Sequence, residues 1–173
     1  MAQNKKTARR SPRELKKNVP AEDRALHILM PYIFWLIAIY FIFCFIFEEK
    51  MGFFGKAGDL LLGLFSIGGY AFPLLLILHA WFYKRDLSAG SHVYKFWFSF
   101  GDMTLLGVLC GAFTKSCATW NPADNFKGGL HMTTGGLVGG TFYMALDFCV
   151  GMFTPVLAVL GIIIFTTFLF YLI

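Results

Sequence analysis

The sequence predicts an all-α, polytopic membrane protein with four transmembrane helices, built as two parallel repeats. Three observations carry that prediction. First, 57% of the 173 residues are hydrophobic, 21 are phenylalanine and only 14% are charged. A soluble domain of this size cannot hide so much apolar surface, so the bilayer must act as its solvent. Second, the basic residues crowd ahead of the first apolar run. Third, the stretches from Gly55 to Tyr83 and from Gly135 to Ile173 share one design. Each carries a Gly-x-x-x-Pro unit, Gly69 with Pro73 and Gly151 with Pro155, flanked by apolar runs.

Residues 1–27 are polar and basic, with eight Lys and Arg. They read as a disordered cytoplasmic tail that fixes topology, with a helix starting near Ala21 and entering the membrane. Span one covers about 28–47 and ends in Glu48-Glu49-Lys50 with no Ala-x-Ala site after it, as an uncleaved anchor does.

Span two covers about 59–83. As one straight helix it would be about 37 Å long, against a hydrocarbon core of about 30 Å. Pro73 removes the backbone bond to Gly69, and Gly69 tolerates the distortion, so a break is expected there. The same reasoning places a break at Gly151 beneath Pro155. The piece before each break is expected to be a half-helix at or dipping into the outer leaflet, about 135–148 in the second copy.

Leu87 to Lys95 reads as a short polar turn. Span three, about 96–113, is weak: its eight Leu, Val and Phe residues contribute about −3 kcal/mol to insertion, and one central Asp costs about +3. It should depend on its neighbours, and Gly107 and Gly111 give it a small-x-x-x-small face. Thr114 to Thr134 is the longest loop, with turn signals at Asn121-Pro122 and Gly128-Gly129. Gly135 with Gly139, and Gly136 with Gly140, form overlapping small-residue pairs on the second half-helix. Span four, about 153–173, has fourteen Leu, Ile, Val and Phe residues, which sum to about −6 kcal/mol and insert it unaided. The Lys and Arg distribution puts both termini in the cytoplasm and the Cys117 loop outside.

Little of the chain carries catalytic chemistry. Gly52-Phe53-Phe54-Gly55-Lys56-Ala57 lacks the spacing and hydroxyl of a phosphate-binding loop, and HExxH, GxSxG and CxxC patterns are absent. No catalytic, cofactor-binding or metal-binding residue is assigned, and no cofactor is expected. His79 reads as interfacial beside Trp81 and Tyr83. Cys44, Cys110 and Cys149 lie in apolar runs and read as thiols. Asp59, Asp102 and Asp147 are acids at or near membrane depth, a placement that suits an ion path, an interfacial position or an interhelical hydrogen bond.

The second unit, with Gly135-Gly136, Gly139-Gly140, the Gly151 hinge and its apolar span, resembles the N-terminal membrane region of the FtsK/SpoIIIE DNA translocase family. So does the Gly69-Tyr70-Ala71-Phe72-Pro73-Leu74-Leu75-Leu76 stretch of the first. The resemblance covers about 28–173. It implies a membrane anchoring and oligomerisation domain at the bacterial division septum, in the cytoplasmic (inner) membrane. Its implied partners are membrane lipids, further copies of itself and other division proteins. DNA would be contacted only through a cytoplasmic motor that this chain lacks, so the chain itself is not expected to be an enzyme and reads as a piece of a longer protein. Two other readings compete: a small transporter or channel subunit with broken helices, and a scaffold that recruits envelope proteins. A transporter should gather its breaks and acids around a wet cavity. An anchor should pack them dry.

Overall fold

The computed structural model describes residues 21–47, 52, 55–85, 89–114 and 119–171. Most of the basic tail, the Glu48-Glu49-Lys50 stop, Asp86 and Cys117 lie outside the described residues. The described chain is all-helical. Its helices are α1 (Ala21–Ile46), α2 (Lys56–Phe65), α3 (Ile67–Arg85), α4 (Ala89–Thr114), α5 (Pro122–Leu130), α6 (Gly136–Val150) and α7 (Thr154–Tyr171), with a 3-10 turn at Gly151–Phe153.

Three stretches are long and apolar enough to cross a membrane: Ile28–Ile46, Val93–Thr114 and Gly136–Phe170. A fourth candidate is the pair Lys56–Phe65 and Ile67–Tyr83, bent by 111°. The stretch Gly136–Phe170 is itself not straight. Along one helix axis Gly139 and Gly161 would lie about 33 Å apart. Yet Gly139 packs against Gly107 and Gly161 against Leu105, within one turn of α4. The chain therefore turns back between α6 and α7.

Two antiparallel pairs make up the bundle. On one side α1 runs against α3, with ring centroids 4.7 Å apart at Phe45–Tyr70, 5.0 Å at Phe41–Phe72 and 6.0 Å at Phe34–Tyr83. On the other α4 runs against α7, with Phe98 stacked on Phe168 at 5.7 Å and the Phe165 ring laid on Gly101. In a bilayer such contacts are held by van der Waals packing, so edge-to-face aromatics and ring-on-glycine seats do the work that water exclusion does elsewhere. The pairs are joined where α3 meets α4, and His79 and Ser99 share a 2.9 Å hydrogen bond there.

Several sequence expectations need correction. The first bend is at Ser66 (φ 52, ψ −128). It is not at Gly69 and Pro73, and Pro73 lies within the continuous helix α3. A proline costs a helix one backbone bond and some crowding, and packing in a bundle absorbs that cost. Pro31 sits inside α1 in the same way. The second bend is at Gly151 as expected (φ 55, ψ −122). Pro155, however, falls in the first turn of α7, where its missing N–H is not needed. Span three starts earlier than 96: α4 begins at Ala89, and Lys95 is a fully buried helical residue, not part of a polar turn. Its long stem packs inward and its Nζ lies 5.1 Å from the centroid of the Phe82 ring, a cation–π seat. His79 is buried within the protein and bonded to Ser99. The longest loop contains α5, which Asn121-Pro122 opens and whose last turn holds Gly128-Gly129. Asn121 caps it by accepting a hydrogen bond from the Ala123 N–H (3.1 Å), with Pro122 opening the first turn.

Candidate functional site

Where the two bent units meet, the chain packs backbone on backbone. α2 ends at Ser66 against α4, α5 crosses above it, and the start of α6 slides beneath. A β-carbon at Gly136 would stand 2.6 Å from the Leu64 carbonyl oxygen, and Gly136 itself has φ 76. One at Gly107 would meet the carbonyls of Gly135 (2.7 Å) and Phe65 (2.9 Å). One at Gly139 would lie 2.7 Å from Gly107, and one at Gly129 would lie 2.7 Å from both Gly136 and the Leu62 carbonyl. No side chain fits between these backbones, which lie in direct van der Waals contact.

Polar groups in the junction are saturated by one another. Asn125 is fully buried: its Oδ1 accepts from the Thr119 N–H (3.0 Å) and its Nδ2 donates to the Thr119 carbonyl (2.7 Å). The Thr134 hydroxyl donates to the Asn125 carbonyl (2.9 Å) and accepts from the Gly136 N–H (3.3 Å). Gly140 lies over the Asn125 amide, where a β-carbon would approach it to 3.1 Å. Buried polar groups satisfied in this way fix one geometry and leave no stray dipole in an apolar medium.

The sequence-selected residues therefore divide. Gly107, Gly135, Gly136, Gly139 and Gly140 converge in this junction. Gly111 lies beside it, where a β-carbon would stand 3.2 Å from the Tyr143 ring. Gly69 stands at the first bend, where a β-carbon would be 3.0 Å from the Leu61 carbonyl, so its smallness serves close approach across the bend. Gly151 makes the second bend in open space, with Pro155 after it. Pro73 is remote from both. Sequence reading missed Ser66, Asn125, Gly129 and Thr134. A buried serine at positive φ carries no signature of its own, whereas the Asn-Pro capping signal four residues before Asn125 was readable as a helix start.

The three acids do not gather. Asp59 is half-buried in α2, Asp147 exposed in α6 and Asp102 buried in α4. Asp102 Oδ2 accepts from the Thr166 hydroxyl across to α7 (3.3 Å), and Oδ1 has no hydrogen-bond partner among the described residues. A cavity of about 200 Å³ lies between α3 and α4, walled mostly by Leu61, Phe65, Phe72, Leu76, Phe100 and Met103, with His79 and Ser99 at one end. Among the described residues no cluster of three His, Cys, Asp or Glu could hold a metal ion. No family model matches the chain, and no curated protein or solved structure matches it.

Proposed function

We propose that this chain is the membrane anchoring and oligomerisation domain of a septal DNA translocase, acting in bacterial cell division and chromosome segregation. In this reading α1, α3, α4 and α7 cross the inner membrane and both termini face the cytoplasm. The half-helices α2 and α6 lie across the outer leaflet, as parallel repeats would place them. The sequence resemblance supplies the class. The observation that carries the reading is the dry junction: both half-helices meet through glycine and carbonyl contacts, and the first bend, at Ser66, is walled by backbone instead of lining a wet path. Such a junction is a rigid support, suited to holding a cytoplasmic motor in place.

The test is a fluorescent fusion of the chain expressed in dividing bacteria, with the gene read beyond the codon for Ile173. Enrichment at midcell, and a downstream Gly-x-x-x-x-Gly-Lys-[Ser/Thr] motif, are the expected results. Uniform membrane fluorescence together with a stop codon there would falsify the reading.

One observation favours the transporter alternative, namely the buried Oδ1 of Asp102 at mid-span, which has no hydrogen-bond partner among the described residues, since an intramembrane acid is by default a candidate ion-path residue. Reconstitution in liposomes with a proton or sodium gradient decides it. Flux that disappears in Asp102→Asn would promote that alternative over the anchor.

A further inference from the structure

We infer that copies of this chain assemble head to tail, the outer face of α7 and the end of α6 in one copy seating on the outer face of α1 and the start of α2 in the next. The inference takes its bilayer setting from the anchor reading above. The interface itself is read from the chain's own internal repetition.

The two bends repeat down to their hydrogen bonds. At Ser66 the N–H donates to the Leu62 carbonyl (2.7 Å) and the carbonyl accepts from the Gly69 N–H (2.8 Å). At Gly151 the N–H donates to the Asp147 carbonyl, and the carbonyl accepts from the Thr154 N–H. Laying Ser66 on Gly151 carries Tyr83 onto Phe168. Tyr83 packs on Phe34 (6.0 Å) and Phe168 on Phe98 (5.7 Å), so α1 in the first unit stands where α4 stands in the second, with Phe34 on Phe98.

This register shows which faces lack a partner. Within the chain the first unit docks on the second through α3 against α4, and His79 and Ser99 are bonded and buried there. The register sends His79 to Ile164 and Ser99 to Trp35. Ile164 is 50% exposed on the far side of the second unit and Trp35 47% exposed on the far side of the first. Leu75 and Phe100, which line the space between α3 and α4, likewise map to Leu160 and Leu36, both exposed. The faces that repeat the internal interface are thus bare at the two ends of the chain.

Charge marks the same pairing. Inside the chain the end of α2 abuts the start of α6, Leu64 against Gly136. The repeated contact would bring the end of α6, with exposed Asp147, to the start of α2 in the next copy, with exposed Lys56. A carboxylate beside a lysine and a helix N-terminus is attractive. Lipid tails would solvate the apolar faces equally well but offer nothing to that charge pair. Because the two surfaces differ, every added copy leaves the same two faces open, and growth ends only when a ring closes.

Disulfide trapping tests this in native membranes, using the full chain with Cys44, Cys110, Cys117 and Cys149 changed to alanine. With Trp35→Cys and Ile164→Cys in one chain, oxidation is expected to give a ladder of oligomers on a non-reducing gel. The two single variants, co-expressed, should give only the mixed dimer, and neither alone should cross-link. Self-cross-linking of one single variant would mean a two-fold contact and overturn the inference. So would a double variant that stays monomeric on the gel, whatever its particle mass in nanodiscs. If the cysteine-free chain does not fold, the native chain serves: Asp147→Lys is expected to cut the oligomer fraction in nanodiscs severalfold, and Lys56→Asp in the same chain to restore it. No loss, or loss without rescue, overturns the inference there. A ladder with uniform membrane fluorescence and a stop codon after Ile173 would sink the septal reading alone, and midcell enrichment without a ladder would sink this inference alone.

Discussion

The two bends have nearly the same backbone angles and opposite surroundings. Ser66 is fully buried at φ 52, pressed by α4 and α6, with its hydroxyl 3.4 Å from the Cys110 sulfur. Gly151 turns at φ 55 with nothing within 4 Å of where a β-carbon would stand. Positive φ with ψ near −125° is a sparsely populated region that costs a side-chain-bearing residue about 1–3 kcal/mol. Where surrounding structure over-determines the turn, that strain persists and a serine is tolerated. Where the turn projects into open space, glycine removes the strain at its source. The same conformation is thus held by packing in the first unit and by residue choice in the second.

The largest expected effect comes from attacking the packing. Gly136→Val meets both obstacles at once, a positive φ and a carbonyl 2.6 Å from the new β-carbon. Relief requires α2 and α6 to separate, and the loss should exceed about 4 kcal/mol, the range reserved for core disruption. Fluorescence-detected gel filtration after a heating series should show little folded protein at any temperature. Normal elution and melting would mean that the two half-helices do not meet as described.

Next is Asn125→Ala, which strips Thr119 of both its backbone partners while leaving the glycine contacts intact. Thr119 is itself exposed, so water replaces part of what is lost, and each of the two bonds is worth about 0.5–1.5 kcal/mol net. The melting temperature should fall by several degrees with the elution profile unchanged. An unchanged melting temperature would show that water reaches Thr119 and that the junction is not dry on this side.

Much of this contrast was legible in the sequence and some was not. Composition and apolar run length pointed to the membrane class, and the doubled glycines after Thr134 marked a close-packing surface, because small residues let helix backbones approach. The position of the first bend was hidden. Gly69 and Pro73 carry the expected breaker signature, yet Ser66 bends, since the turn is held by remote parts of the chain: the Met103 carbonyl against Gly68, and Gly136 against the Leu64 carbonyl and the Ser66 N–H. Lys95 misled for a related reason: a lysine reads as a loop residue until a ring such as Phe82 is brought over it. Local signals report local preferences, and each of these sites is decided by what packs from elsewhere.

Exchanging residue types at the bends sharpens the comparison. Gly151→Ala adds only turn strain in open space, so a loss of about 1–3 kcal/mol is expected. Ser66→Gly relieves similar strain but gives up the packed side chain and loosens the unfolded chain, which costs about 0.5–1 kcal/mol. The net change there should be smaller than at Gly151 and of either sign. Equal losses at both sites, read from paired melting curves, would remove the distinction between a packed bend and an open one.

The smallest effect belongs to Pro73, and it is informative because the residue looks most like a hinge. Pro73 sits within α3, so alanine there restores an N–H that can donate to the Gly69 carbonyl and removes the clash of the ring with it. If the bend depended on proline, Pro73→Ala would straighten the α2–α3 pair and open the junction, with a loss approaching that of Gly136→Val. With the bend held at Ser66 by its neighbours, the added hydrogen bond is worth about 1 kcal/mol at most. Part of this is offset by the greater freedom of the unfolded chain. Pro73→Ala should therefore melt within a few degrees of the parent chain and pass the same cysteine-trapping assay. Such a result locates the hinge signature of the first unit in its packing, three residues before the glycine that seemed to announce it.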